Sequence, residues 1–203
     1  MRPTVNTPLS ILNSEVKLLG DYYVNSRSVE IRYRRFIAEL LFLRLFVLFE
    51  DAIAGVASRL ACGAEYLNGK APGLNKQSVS ISTALNAFLT FNRARPLNYP
   101  KWTKAKFIVQ TVTPVMDTKD PFIMRVQGHG ALINEMRCVR NYIAHKNSNA
   151  KKEYQSVLRQ AYGAQPNIPP GAYLVSEKRF RIPKMEHYLA SVPIILADVA
   201  SGV

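Results

Sequence analysis

The chain has 203 residues, 48% of them hydrophobic, and a formal net charge of +13. That apolar content excludes a disordered chain, and the length suffices for one sizeable domain with a real core. The charge excess points to an anionic partner, nucleic acid ahead of an acidic membrane surface.

The N-terminal MRPTVNTPLS lacks the apolar core of a signal peptide. A short helix is predicted from Ser10 to Tyr23, then a long one from about Ser28 to Cys62, where Ile37, Leu40, Leu41, Leu48, Ala52 and Val56 recur at helical spacing. Its greasiest run, Ile37 to Ala57, is broken by Glu39, Arg44, Glu50 and Asp51, so a core helix is expected and not a membrane span. Cys62 and Cys138 show no metal-ligand spacing and read as reduced thiols, which together with the N-terminus places the protein in the cytoplasm.

Gly63 and NGKAPG (Asn68 to Gly73) end the long helix. Helices are then expected over Ser78 to Asn92 and Trp102 to Val112, separated by the Pro-punctuated loop RARPLNYP; MDTKDP (Met116 to Pro121) reads as a turn, and His129, between Gly128 and Gly130, as a loop histidine before a helix. Helices follow at about Ala131 to His145, Asn149 to Tyr162 and Met185 to Ala200, the last to be bent by Pro193. Ala172 to Pro183 reads as a small β-hairpin. The whole is expected to be one all-α domain over residues 1–203, its helices packed antiparallel.

The charge is uneven. No acidic residue lies between Glu65 and Asp117, and that stretch holds Arg93, Arg95, Lys101 and Lys104 within an aromatic setting, FNRARPLNYPKW, suited to stacking unpaired bases and holding phosphates or to a solvated basic loop. A second basic surface is expected from Lys146, Lys151 and Lys152. These seven cations are the candidate RNA contacts.

The helix over Ala131 to His145 carries the most chemistry. Leu132, Met136, Val139 and Ile143 form its apolar face, while Arg137, Asn141 and His145 share a stripe at i, i+4, i+8 with Arg140 about 60° to one side. A neutral imidazole can take a proton, a guanidinium can hold a phosphate and offset growing negative charge, and an amide can orient either. Such a set suits RNA cleavage by the substrate's own 2′-hydroxyl, which needs no metal, and no carboxylate cluster of the two-metal nuclease kind is visible. A bland reading stands beside it, a polar helix end with cations on the dipole. Internal transesterification uses a base and an acid; two copies of the helix face to face would supply two histidines, or one histidine would work with arginine electrostatics.

RNYIAH, Arg140 to His145, resembles the signature of the HEPN superfamily: an Arg, a following polar residue, and a His after an interval of four to six residues. Arg181 and His187 repeat the spacing, but without a polar residue after the Arg and with Pro183 between them. The helix order, with an early long helix bearing Glu50 in LFEDAI, is also similar. The resemblance implies an α-helical homodimer formed through the motif helix, a metal-independent endoribonuclease, and a role as toxin or antiphage effector. It makes Arg140, Asn141 and His145 catalytic, with Glu50 supporting unless it is a buried partner of Arg44 or Arg140. Arg137 is expected to touch phosphate or to form a structural ion pair. No metal or cofactor is implied. RNA, with tRNA and phage RNA among the candidates, is the expected partner, together with an antitoxin or regulatory protein. Residues 64–117 fit no pattern of the family and read as a subfamily insertion. The alternative is a non-catalytic HEPN-like module that binds RNA or protein.

Overall fold

The computed structural model describes residues 3–164, 166–177 and 181–203. Among these the fold is all-α: α1 (Asn6–Asn25), α2 (Ile31–Ala61), α3 (Ile81–Thr90), α4 (Ala105–Val112), α5 (Pro121–Gly128), α6 (Gly130–His145), α7 (Ser148–Tyr162), α8 (Pro170–Val175) and α9 (Lys184–Val199). The described residues contain no strand beyond an isolated antiparallel bridge of Leu74 with Met116.

Two elements depart from the sequence expectation. Residues 117–128 hold more than a turn: Asp120 caps α5 through its side chain, which accepts from the Phe122 N–H, and Pro121 occupies the first turn, where a missing N–H costs nothing. The expected β-hairpin over Ala172 to Pro183 is corrected, since Ala172 to Val175 are helical. Pro170 starts that helix, and Tyr173, Leu174 and Val175 are all buried, so the run is apolar on too many sides to alternate as a half-buried strand. The rest of the expected hairpin includes residues 178–180, which lie outside the described residues.

The chain divides into two compact units: residues 1–12, 49–133 and 193–203 form the first, and 13–48 and 134–192 the second. Residues 64–117 fall wholly within the first.

The first unit is built on Phe49, Ile53, Phe88, Ile108, Val112, Phe122, Val126 and Leu196, all buried. Truncating a ring such as Phe88 to alanine would cost roughly 3–5 kcal/mol. Polar pins fix its connections. The buried Asp120 carboxylate accepts from the Tyr66 hydroxyl, from Phe122 N–H at 2.9 Å and from Gly73 N–H at 2.7 Å. Burial, followed by the bond to Asp120, pushes the Tyr66 hydroxyl far above its ordinary pKa, so it stays a donor. Ser80 and Thr83 form a reciprocal capping box at the start of α3.

The second unit packs Tyr23, Phe42, Phe46, Met136, Val139, Tyr154, Tyr173 and Tyr188. Its aromatic core needs outlets for the hydroxyls. Glu135 is the common acceptor, taking hydrogen bonds from Tyr188 at 2.6 Å, Tyr173 at 3.0 Å and the Lys184 ammonium at 3.0 Å. Burial alone would raise the Glu135 pKa, but the Tyr188 bond and the Lys184 charge outweigh it and hold the carboxyl below its ordinary value.

Candidate functional site

The end of α6 is shaped by its stop signal. His145 is the last helical residue, and Lys146 follows with φ +47°, its N–H still donating to Tyr142 O at 3.2 Å. A non-glycine residue in the left-handed region costs on the order of 1 kcal/mol. Asn147 then caps α7, its side chain accepting from Ala150 N–H at 2.8 Å. One helix therefore ends and the next begins within two residues, and His145, Lys146 and Asn147 are exposed.

Three predicted residues come together there. Arg140 Nη1 lies 3.3 Å from Asn141 Oδ1 and 3.4 Å from His145 Nε2. The guanidinium carbon stands 6.0 Å from the centre of the Phe46 ring, a cation–π approach from the apolar side. Arg140 and Asn141 are half-buried. Among the described residues no carboxylate forms an ion pair with Arg140, whose hydrogen-bond partners are the Asn141 amide and the His145 imidazole.

Arg137, one turn earlier, has a different fate. Its guanidinium donates to both oxygens of Glu153, at 2.9 and 3.2 Å, and its Nε reaches Asn134 Oδ1 at 3.3 Å. The side chain is only 13% exposed. Of the two roles open to it from sequence, the structure displays the ion pair, a planar bidentate arrangement that ties α6 to α7. Glu50 is half-buried on α2 and belongs to the first unit, whereas Arg140, Asn141 and His145 belong to the second.

The candidate RNA contacts are scattered in kind. Lys146, Lys151 and Lys152 are exposed at the α6–α7 junction and on the first turns of α7. In the first unit, Arg95 and Lys101 are exposed and Lys104 is half-buried. Lys101 Nζ stands 5.9 Å from the Tyr99 ring centre and 5.3 Å from that of Phe107, with Lys104 5.8 Å from Phe107. Tyr99 itself is 63% exposed. Arg93 is committed inward: it donates to Phe88 O, Gln110 O and Thr111 O, each at 2.9 Å, closing the end of α3 onto α4. Burial lowers its pKa, the expected sign for a cation withdrawn from water.

Several partners of these residues carry no signal in the sequence. His129 does more than precede a helix: its Nε2 lies 2.8 Å from Asp198 Oδ2, and Arg125 flanks the same carboxylate at 3.5 Å. Glu153 and Phe46, which hold the two arginines of α6, lie far from them in sequence and carry no local signal. A pocket of 270 Å³ in the second unit, lined in part by Tyr142 and Lys146 from the motif helix, was equally invisible. Among the described residues no group of three or more His, Cys, Asp or Glu side chains converges as a metal site would require, and no helix is long and apolar enough to cross a membrane. Compared with known proteins, the chain matches no family model, no curated protein and no solved structure.

Proposed function

We propose that the protein is a metal-independent endoribonuclease of HEPN type, acting as a toxin or antiphage effector in the cytoplasm. The observation that carries the reading is the Arg140–His145 pair at 3.4 Å, a cation beside an imidazole with no carboxylate between them. Buried or half-buried cations normally find a carboxylate. One left facing an imidazole at an exposed helix end is suited to an anion that arrives from outside.

The chemistry follows from those groups. His145 removes the proton of a ribose 2′-hydroxyl, and the 2′-oxygen attacks the adjacent phosphorus. Arg140 holds the non-bridging oxygens, whose charge grows in the five-coordinate transition state. Asn141 steadies the guanidinium through its Oδ1. The P–O5′ bond breaks, the 5′-oxygen takes a proton, and the products are a 2′,3′-cyclic phosphate and a free 5′-hydroxyl. That second proton comes from an imidazolium: His145 of a second copy in a dimer, or His145 itself after the first transfer. Self-association is supported by exposed apolar side chains on α2, where Phe36 is 60% and Leu40 50% exposed.

A second reading, an RNA-binding module without catalysis, draws on the Lys101, Tyr99 and Phe107 surface, whose rings and ammonium groups suit single-stranded RNA. Expression of wild type and of His145→Ala in a bacterial host separates the two. The nuclease reading expects growth arrest and fragmented total RNA with wild type alone. Equal arrest by both proteins would refute a catalytic His145.

A further inference from the structure

The 270 Å³ pocket of the second unit adjoins the motif on the helix itself. At 100° per residue, Tyr142 lies about 60° around α6 from His145, on the side away from Arg140. The pocket lining therefore reaches into the Arg140–His145 segment through Tyr142. Its volume is just below the usual range of small-ligand sites, room enough for a nucleobase.

Its lining is that of a base site. Tyr142 is half-buried and stacks on Tyr154, with ring centres 5.0 Å apart and planes 19° apart. Tyr154 is buried and locked, its hydroxyl donating to Ile168 O at 3.1 Å and its ring meeting the edge of Tyr173. The Tyr142 ring thus has a rigid backing and forms a fixed aromatic wall, the surface on which an unpaired base stacks. Glu39 supplies hydrogen-bond direction. Its Oε1 accepts from Gly171 N–H at 2.7 Å, which anchors the carboxylate, and among the described residues its Oε2 has no further partner. Lys146 and Lys151 stand in the lining as the cations for a phosphate.

A carboxylate acceptor beside an aromatic wall discriminates among bases. Guanine presents two adjacent donors, N1–H and the N2 amino group, to a single carboxylate. Adenine and cytosine offer an amino donor next to a ring acceptor, and uracil one N–H between two carbonyls, so each would set a lone pair against Glu39. We infer that this pocket binds guanine, seating the nucleotide next to the cleaved phosphate and directing cleavage to guanine positions; this rests on the ribonuclease reading of the Arg140–His145 pair.

The test measures binding first. Full-length protein is titrated with guanosine, adenosine, cytidine and uridine 3′-monophosphates. The guanine nucleotide is expected to bind roughly tenfold or more tightly than the others, the discrimination a bidentate contact gives. Glu39→Gln keeps an oxygen for the Gly171 N–H but sets a donor against guanine, and should erase the preference. The exposed pair Lys146→Ala/Lys151→Ala should weaken all four nucleotides alike. Equal affinity for the four nucleotides, or a guanine preference unaltered by Glu39→Gln, would overturn the assignment. A short RNA with one guanine separates a base in a chain from a free nucleotide: cleavage next to that guanine, shifted or lost in Glu39→Gln, assigns the pocket to RNA. Cleavage with no regard to base would overturn the pocket and leave the ribonuclease standing. Guanine binding without cleavage of any RNA would overturn the ribonuclease and reduce the pocket to a guanine-binding site.

Discussion

Two basic regions of this chain hold their arginines differently. Between α3 and α4, Arg93 turns inward and satisfies three main-chain carbonyls, while Lys101 and Lys104 lie over aromatic rings. At the end of α6, Arg140 faces an amide and an imidazole, neither of which cancels its charge. Both regions look alike in composition, rich in Arg and Lys and poor in acid. The difference teaches that an arginine serves the fold where main-chain carbonyls take up its donors, and keeps donors for a ligand where they do not. Arg137 makes the same point within one helix: a turn from Arg140, it is held by both oxygens of Glu153 and serves the fold.

The sharpest break in that comparison is kinetic. Arg140→Ala should lower RNA cleavage by about 10²- to 10³-fold, the loss seen when one charge-stabilising donor is removed, with the melting temperature unchanged. Arg137→Ala should do the reverse, with cleavage per folded molecule preserved and stability reduced by about 1–3 kcal/mol. The upper part of that range is discounted because Glu153 is 41% exposed. Single-turnover cleavage and thermal unfolding on the same samples separate the two arginines.

Glu135 gives the next largest effect. Glu135→Ala removes the acceptor of two tyrosine hydroxyls and of Lys184 and should cost about 3 kcal/mol. The pH dependence has a definite sign. Because the folded carboxyl titrates below its ordinary value, its contribution is full above the unfolded pKa and is lost as pH falls through the lower, folded one. Denaturant midpoints recorded downward from neutral pH should therefore fall in the acid range for wild type, and fall less steeply in Glu135→Gln.

Arg93→Ala sharpens the contrast from the other region. With three carbonyls losing a donor, stability should drop by about 1–3 kcal/mol, a cost the neighbouring Arg95→Ala should not show. Arg95→Ala and Lys101→Ala should instead weaken RNA binding and reduce the salt dependence of log K by about one unit per lost phosphate contact, measurable by titration at several salt concentrations. The smallest effect belongs to Lys146→Gly. Relief of the left-handed backbone should raise stability by about 0.5–1 kcal/mol while nucleotide affinity falls.

How much of this the sequence disclosed depended on the range of the interaction. The long α2 was legible because Leu48, Ala52 and Val56 repeat at helical spacing, and the meeting of Arg140, Asn141 and His145 followed from the geometry of one helix. Short helices were harder. α5 was hidden because its first turn, capped by Asp120 and opened by Pro121, has the composition of a turn. α8 was hidden because six apolar residues fix no period. Contacts between distant positions left no trace at all: nothing near Arg137 announces Glu153, nothing near Tyr142 announces Glu39, and the inward turn of Arg93 depends on carbonyls exposed at the ends of two helices. Those are the interactions that decide which cations remain free to act.

The most direct measurement is RNA cleavage by purified wild type and by His145→Ala, with divalent metal chelated and the product ends identified. The expected result is fragments ending in 2′,3′-cyclic phosphate with wild type, and cleavage lower by roughly 10²- to 10⁴-fold with the variant. Equal cleavage by the two proteins, or wild-type cleavage that disappears with the metal, would contradict it.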